Sequence, residues 1–206
     1  MAGNTRPVTR HLCFWHQTKG LFLNLFFCFS MYLIRKLQTS DSLLELTDLL
    51  HAAYARLGAM GLNYTSVDQS PEVTAERIAG GQCYVAELDG QLVGTIVVKP
   101  TYSHNECAYF TQPGVAAVHQ FAVAPVLQGQ GLGRALLQVC EAWAREQGFR
   151  ELAMDTAEQA THLIKLYTSL GYLPVSSVQW TGKVYRSVVL SKLLSEQAAS
   201  VALSEG

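Results

Sequence analysis

Charge is scarce in this chain. Of 206 residues, 15 are Lys or Arg and 16 are Asp or Glu, so 15% are charged against 49% hydrophobic. Disordered chains show the opposite balance, so disorder is excluded and one packed domain of ordinary size is expected. There is no surplus of positive charge either. A formal net charge of −1 and a sequence pI near 6.6 leave no electrostatic footprint for nucleic acid, which is not expected as a partner. C-x-x-C pairs and Cys/His clusters are missing as well. The five cysteines, Cys13, Cys28, Cys83, Cys107 and Cys140, are odd in number and widely spaced. They read as reduced thiols of a cytoplasmic protein, with no metal site. No apolar run reaches the roughly 20 residues that a bilayer-spanning helix needs.

The longest apolar run, Leu21 to Ile34, is flanked by basic residues, and no acidic residue precedes Asp41. Arg35-Lys36 follows the run where a secretory signal would place a small-residue cleavage site. Three readings of residues 1–30 stay open: an appendage or upstream start, a membrane-associating segment, and an extra packed helix. A membrane partner is not expected. The folded domain is expected to span 31–194, with a frayed tail at 195–206.

Within that span the pattern alternates between strand and helix signals. After a strand beginning near Tyr32, Ser42 with Glu45 forms a capping box for a helix that ends near Gly58. Ser70-Pro71 starts a short second helix. Strands at Cys83–Leu88 and Leu92–Val98 are joined by Asp89-Gly90, a strong hairpin signal. A polar, aromatic loop from Pro100 to Gly114 leads to a strand at Val115–Val123, whose alternation puts Val115, Ala117, His119, Phe121 and Val123 on one face. A helix begins near Gly131, with Leu132, Leu136, Val139, Cys140 and Trp143 on one stripe and Gly148 as its stop. A strand at Glu151–Asp155 follows, and Thr156 with Gln159 predicts a capped helix ending at Gly171. The last two strands are expected near Tyr172–Gln179 and Val184–Ser191. This order calls for a mixed α/β sheet with helices on both faces.

The richest stretch is Val123-Ala-Pro-Val-Leu-Gln128-Gly129-Gln130-Gly131-Leu132-Gly133-Arg134. Glycines between a strand and a helix let backbone N–H groups crowd around an anion, and the helix dipole favours negative charge there. The turn is suited to phosphate. A P-loop would need Lys and Ser/Thr where Arg134-Ala135 stand. A dinucleotide fingerprint would need a third glycine at Arg134 and a βαβ context, although Asp155 lies about where its ribose-binding acid would.

Gln128-x-x-Gly131-x-Gly133 fits a third scheme. With it, the chain resembles the GNAT superfamily of N-acetyltransferases, in which this loop holds the pyrophosphate of acetyl-CoA. Leu166-Tyr167-Thr-Ser-Leu-Gly171-Tyr172 is similar to the family's second signature, and the element order from Tyr32 to about Leu193 agrees. The resemblance implies a mostly antiparallel seven-stranded sheet, splayed between its fourth and fifth strands, with the pantetheine arm in the opening. It implies direct transfer of acetyl from acetyl-CoA to a primary amine of a small molecule or peptide in a ternary complex. It implies backbone contacts from Phe121 and Val123 to the arm. Gln128, Gly129, Gln130, Gly131, Leu132, Gly133 and Arg134 would receive the phosphates. A homodimer is compatible with it.

By the same resemblance Tyr167 is the candidate general acid, against a packing role only. His119 is the candidate base, with Glu106, His104, Asp155 or a water chain as alternatives. The family's asparagine seven residues before the tyrosine is Ala160 here, which puts one hydrogen bond in doubt. Cys140 reads as core. Acceptor contacts are expected from Asn63, Tyr64 and Asp68, from Tyr102, His104, Glu106 and Tyr109, and from Trp180 and Tyr185. Asp68 and Glu106 could draw in a cationic amine. The rival function is a non-catalytic acetyl-CoA-binding module, in which Tyr167 and His119 only pack.

Overall fold

A computed structural model describes residues 32–194; the extension at 1–30 and the tail at 195–206 lie outside the described residues. The helix starts legible in the sequence are present. Ser42 accepts a hydrogen bond from Glu45 N at 3.2 Å ahead of α1 (Leu43–Ala59). Ser70 accepts one from Val73 N at 3.4 Å ahead of α2 (Pro71–Ile78). Strand β1 (Leu33–Lys36) forms one edge of the sheet, and β2 (Gln82–Leu88) and β3 (Gln91–Lys99) form the expected hairpin. Its two turn residues, Asp89 and Gly90, have φ of 51° and 79°, the left-handed pair that a tight hairpin turn needs.

The remaining elements are β4 (Val115–Val123), α3 (Leu132–Glu146), β5 (Glu151–Ala157), α4 (Thr161–Ser169), β6 (Leu173–Val178) and β7 (Ser187–Leu193). The sheet has seven strands in the order β1-β2-β3-β4-β5-β7-β6, and β4 with β5 is its parallel pair. Both faces are covered. Ile96 and Val98 of β3 pack with Leu132, Leu136 and Cys140 of α3, while Val97 and Val85 pack with Leu46 and Leu49 of α1. Among the described residues, no helix is long and apolar enough to cross a membrane.

Two features of the sheet position the site. First, β4 and β5 pair only at Val115, Ala116 and Ala117 with Glu151, Leu152 and Ala153, and beyond Ala117 they part. Second, β4 carries a bulge. Val97 faces His119 and Thr95 faces Ala122, so Gln120 and Phe121 both oppose Ile96, and Gln120 has φ of 48°. The extra residue reverses the alternation. Val115 and Ala117 lie in one cluster of the core, whereas Val123 and Phe121 pack with α3 on the opposite face. The single face expected from Val115 to Val123 is thus two faces, because strict period-2 reading does not survive an inserted residue.

The helix expected to open at Thr156 begins later. Thr156 and Ala157 continue β5, and Ala160 is the N-cap of α4 with no side-chain hydrogen bond. Pairing of Asp155, Thr156 and Ala157 with Val189, Val188 and Ser187 holds the segment in the sheet and overrides the local capping signal. β7 likewise starts at Ser187 rather than Val184, because the preceding residues are engaged elsewhere.

Candidate active site

The glycine turn packs against the strand before it. Gly131 is the N-cap of α3 with φ of 89°, and Gly129 has φ of 76°. A Cβ at either would meet no atom within 4 Å, so both face open space, whereas a Cβ at Gly133 would sit 3.3 Å from Phe121 Cζ. Gln128 donates through Nε2 to Val123 O at 3.1 Å, and Gln130 through Nε2 to Val126 O at 2.9 Å. Each side chain ties the turn to itself. Gln128 N, expected among the phosphate-binding amides, donates instead to Pro125 O at 3.3 Å, and the next amide to find an acceptor is Ala135 N, which donates to Gly131 O at 3.0 Å. Among the described residues, the six preceding N–H groups, Gly129 to Arg134, have no protein acceptor. Unpaired amides at a helix N-terminus, with glycines leaving them uncovered, fit a polyanion such as a pyrophosphate.

Tyr167 stands on α4 across the parted strands from β4. It is 8% exposed, and its ring lies 6.3 Å from that of Phe121. Its hydroxyl makes no hydrogen bond to another described residue, and burial pushes its pKa far up, so it is a protonated donor without a partner. His119 lies on the other face of β4. It is half-buried, and Tyr102 O–H meets its Nε2. Burial first, then the charges of Arg77 and Lys99, push its pKa down to about 3, so the ring is neutral.

Two of the alternative bases are occupied, and the third, His104, lies apart. Glu106 Oε2 accepts from Thr181 N at 2.9 Å, joining the Pro100–Gly114 loop to the β6–β7 connection. Asp155 Oδ2 accepts from Trp180 Nε1 at 2.8 Å, and burial raises its pKa. His104 lines a shallow depression with Ser103, Asn105, Glu106, Thr111 and Trp180, on the outer surface. Asp68 is exposed. Tyr109 donates to Glu151 Oε2 at 2.5 Å, a contact within the fold. Cys140 is buried in the core, and burial holds its thiol protonated.

Aromatic side chains fill the mouth of the opening. Tyr64 stacks on Tyr185 with centroids 4.8 Å apart and meets Tyr54 edge-on at 5.5 Å. Its hydroxyl accepts from Ala157 N at 2.7 Å and lies 3.0 Å from Thr156 Oγ1, giving the end of β5 the partner that β4 no longer supplies. Asn63 donates to Gly182 O at 2.9 Å and accepts from Val184 N at 3.0 Å, while Lys183 Nζ donates to Asn63 O at 2.7 Å and Thr65 Oγ1 at 2.9 Å. The α1–α2 loop and the β6–β7 connection thus clasp over the site.

A model of the acetyltransferase (GNAT) family matches residues 45–172. The chain belongs to the GNAT acetyltransferase family. An S-(2-succino)cysteine N-acetyltransferase of Bacillus subtilis (strain 168) is 29% identical over 161 residues, covering 75% of this chain and 90% of that one. An aminoglycoside N(6')-acetyltransferase type 1 of Stenotrophomonas maltophilia is 32% identical over 123 residues, or 59% and 78% of the two chains. A GNAT family acetyltransferase of Elizabethkingia anophelis, solved with acetyl-CoA bound, shares the fold with a TM-score of 0.58 at 19% identity, over 79% of this chain and 98% of that one. The protein is accordingly an N-acetyltransferase, and the GNAT sheet with its parallel β4–β5 pair is the one described above.

In this GNAT chain, Tyr54, Gln120 and Lys183 around the candidate site, and Arg77 on α2, are residues that sequence reasoning did not single out. Arg77 and Lys183 carry no local pattern that sets them apart from surface cations. Gln120 becomes special only through the bulge.

Proposed function

We propose that this acetyltransferase takes acetyl-CoA as co-substrate and transfers the acetyl group directly to a primary amine held between α1, α2 and the β6–β7 connection. The observation that carries this reading is the row of unpaired amides, Gly129 to Arg134, opening beside the point where β4 and β5 separate. Those amides bind the pyrophosphate, with Arg134 adding charge-assisted contacts. The backbone of Phe121 and Val123 lines the path for the pantetheine arm. Val123 O, already accepting from Gln128, keeps a second lone pair for it.

The chemistry needs a neutral amine, a polarised carbonyl and a protonated leaving thiolate. Tyr167 supplies the last: its hydroxyl gives a proton to sulfur as the C–S bond breaks and the new C–N bond forms. The amine's own proton leaves towards His119 and Tyr102, and solvent restores Tyr167. Neutral His119 is too weak a base to strip an ammonium ion by itself; an amine that is already neutral sheds its proton as the C–N bond forms, and the His119–Tyr102 pair hands that proton to solvent. Burial keeps the amine neutral. The same desolvation lowers the pKa of Lys99 and Lys183 at this site. The two relatives' names give an S-substituted cysteine in one and an aminoglycoside in the other, which supports a small-molecule acceptor. Buried free thiols at Cys83, Cys107 and Cys140 fit a reducing, cytoplasmic compartment.

The test is calorimetric titration of the full chain with acetyl-CoA and, separately, NAD, followed by release of CoA thiol with amines. Saturable binding of acetyl-CoA alone, with amine-dependent thiol release, is expected. Binding of NAD alone, or of neither ligand to folded protein, would overturn the reading.

A further inference from the structure

Arg77 is a half-buried cation with no counter-ion among the described residues. It lies three residues after Thr74, so the two share one face of α2. Thr74 is fully buried, with its hydroxyl 2.7 Å from Thr47 Oγ1 and accepting from Gln69 Nε2 at 2.6 Å. That face of α2 is therefore the one turned into the molecule, and Arg77 Nε is buried there with no hydrogen-bond partner. The ion pairs among the described residues use Arg35, Arg145, Arg186 and Lys192, and none reaches Arg77, Lys99 or Lys183.

Helix α2 packs against β4, the strand that carries His119 and Gln120, which sets Arg77 on the acceptor side of the opening. After burial, Arg77 is the next cause that lowers the pKa of His119 on β4, Lys99 at the end of β3 and Lys183 on the β6–β7 connection. It also favours the ionised forms of Tyr102 and Asp155. Asp155 makes no ion pair with it; its Oδ2 accepts from Trp180 Nε1 instead.

A second buried donor is orphaned on β4, the strand against which α2 packs. Gln120, at the bulge beside His119, accepts from Ser66 Oγ at 2.8 Å through Oε1, which leaves its Nε2 buried and unpaired. Ser66 stands 3.5 Å from Gln69, so Gln120 belongs to the same polar network as Thr74. Two buried N–H groups without acceptors, one cationic, call for a ligand group that only accepts and carries negative charge.

We propose that the acceptor amine also carries a carboxylate, as an amino acid or amino-acid-like molecule does, and that Arg77 binds this carboxylate with Gln120 as a second donor. This rests on the reading that the opening between β4 and β5 is where acetyl is transferred to an amine. It reverses the charge expected from Asp68 and Glu106, which are respectively exposed and engaged by Thr181 N. A guanidinium binds a carboxylate through paired N–H groups.

The experiment compares matched acceptors, such as methionine with 3-(methylthio)propylamine and phenylalanine with phenethylamine, on the full-length protein and on its Arg77→Gln and Arg77→Lys variants. Thermal unfolding confirms that each is folded. The acids should be acetylated in preference to the amines. Arg77→Gln should raise KM for the acids about 10- to 100-fold with a much smaller change in kcat, as expected for one charge-assisted pair, and Arg77→Lys should recover part of that. A second readout is independent of turnover: calorimetric binding of N-acetylmethionine to the CoA-loaded protein, lost in Arg77→Gln. Amines that serve as well as their acids, or an acid-to-amine ratio that Arg77→Gln leaves unchanged, would overturn the proposal while leaving acetyl transfer intact. So would failure of N-acetylmethionine to bind. Absence of turnover with every amine, in the presence of that binding, would sink the transfer reading and leave the carboxylate site standing.

Discussion

The Tyr102–His119 pair makes a quantitative statement about acid stability. Enclosure keeps the His119 ring neutral in the folded protein down to about pH 3, whereas the unfolded chain protonates it at the ordinary 6.5. Between those values the unfolded state binds one proton more than the folded state, so acid favours unfolding. The loss begins as pH drops below 6.5 and is complete near 3. At pH 4.5, two pH units below the unfolded value, it amounts to about 2.7 kcal/mol, a large share of the 5–15 kcal/mol that typically holds a domain together. His119→Gln removes the titrating ring. Urea unfolding of both proteins at pH 7.5 and 4.5 gives four free energies, and the parent should lose about 2.7 kcal/mol more over that interval than the variant. The missing Tyr102 contact shifts the variant equally at both pH values and cancels. Asp155, whose raised pKa acts in the opposite sense, is common to both. If both proteins lose the same amount, His119 titrates normally in the folded state and its enclosure as described is refuted.

Tyr167→Phe should lower kcat about 100-fold, as loss of a general acid does, while acetyl-CoA affinity and unfolding midpoint stay put, because the hydroxyl makes no hydrogen bond within the described fold; unchanged kcat would assign Tyr167 to packing. Gly131→Ala places a side chain at φ of 89° and should cost about 1–2 kcal/mol of stability together with weaker acetyl-CoA binding, read by urea unfolding and calorimetry. Tyr64→Phe keeps the stack on Tyr185 but strips Ala157 N of its acceptor, so stability should drop by about 1–3 kcal/mol; faster hydrogen exchange at the Ala157 amide would localise the effect to the end of β5.

The proposed cofactor half of the site is local in sequence and the proposed acceptor half is not, and the difference is physical. Phosphate binding needs consecutive backbone amides at one strand-to-helix turn, so the proposed cradle, Gly129 to Arg134, is legible within a few residues. Tyr167 is legible for the same reason, since Leu166-Tyr167 and Gly171-Tyr172 form one local signature. The proposed acceptor half assembles side chains far apart in the chain: Tyr64 reaches Ala157, Asn63 clasps Gly182 and Val184, and Ser66 bonds Gln120. Only folding brings these together.

Helices α1 and α2, the β2–β3 hairpin and the mixed sheet were determined by local signals, caps and periodicity, which act over one or two turns of chain. Tertiary structure alone decided where those signals yield. Thr156 and Gln159 form a valid capping box, yet pairing with β7 and the hydroxyl of Tyr64 keep that stretch in β5. The alternation along β4 is regular in sequence, yet two residues opposite Ile96 turn Phe121 and Val123 to the α3 face and leave His119 on the other. A one-residue bulge inverts every side chain beyond it, and its register is set by the neighbouring strand rather than by the residues of β4 themselves.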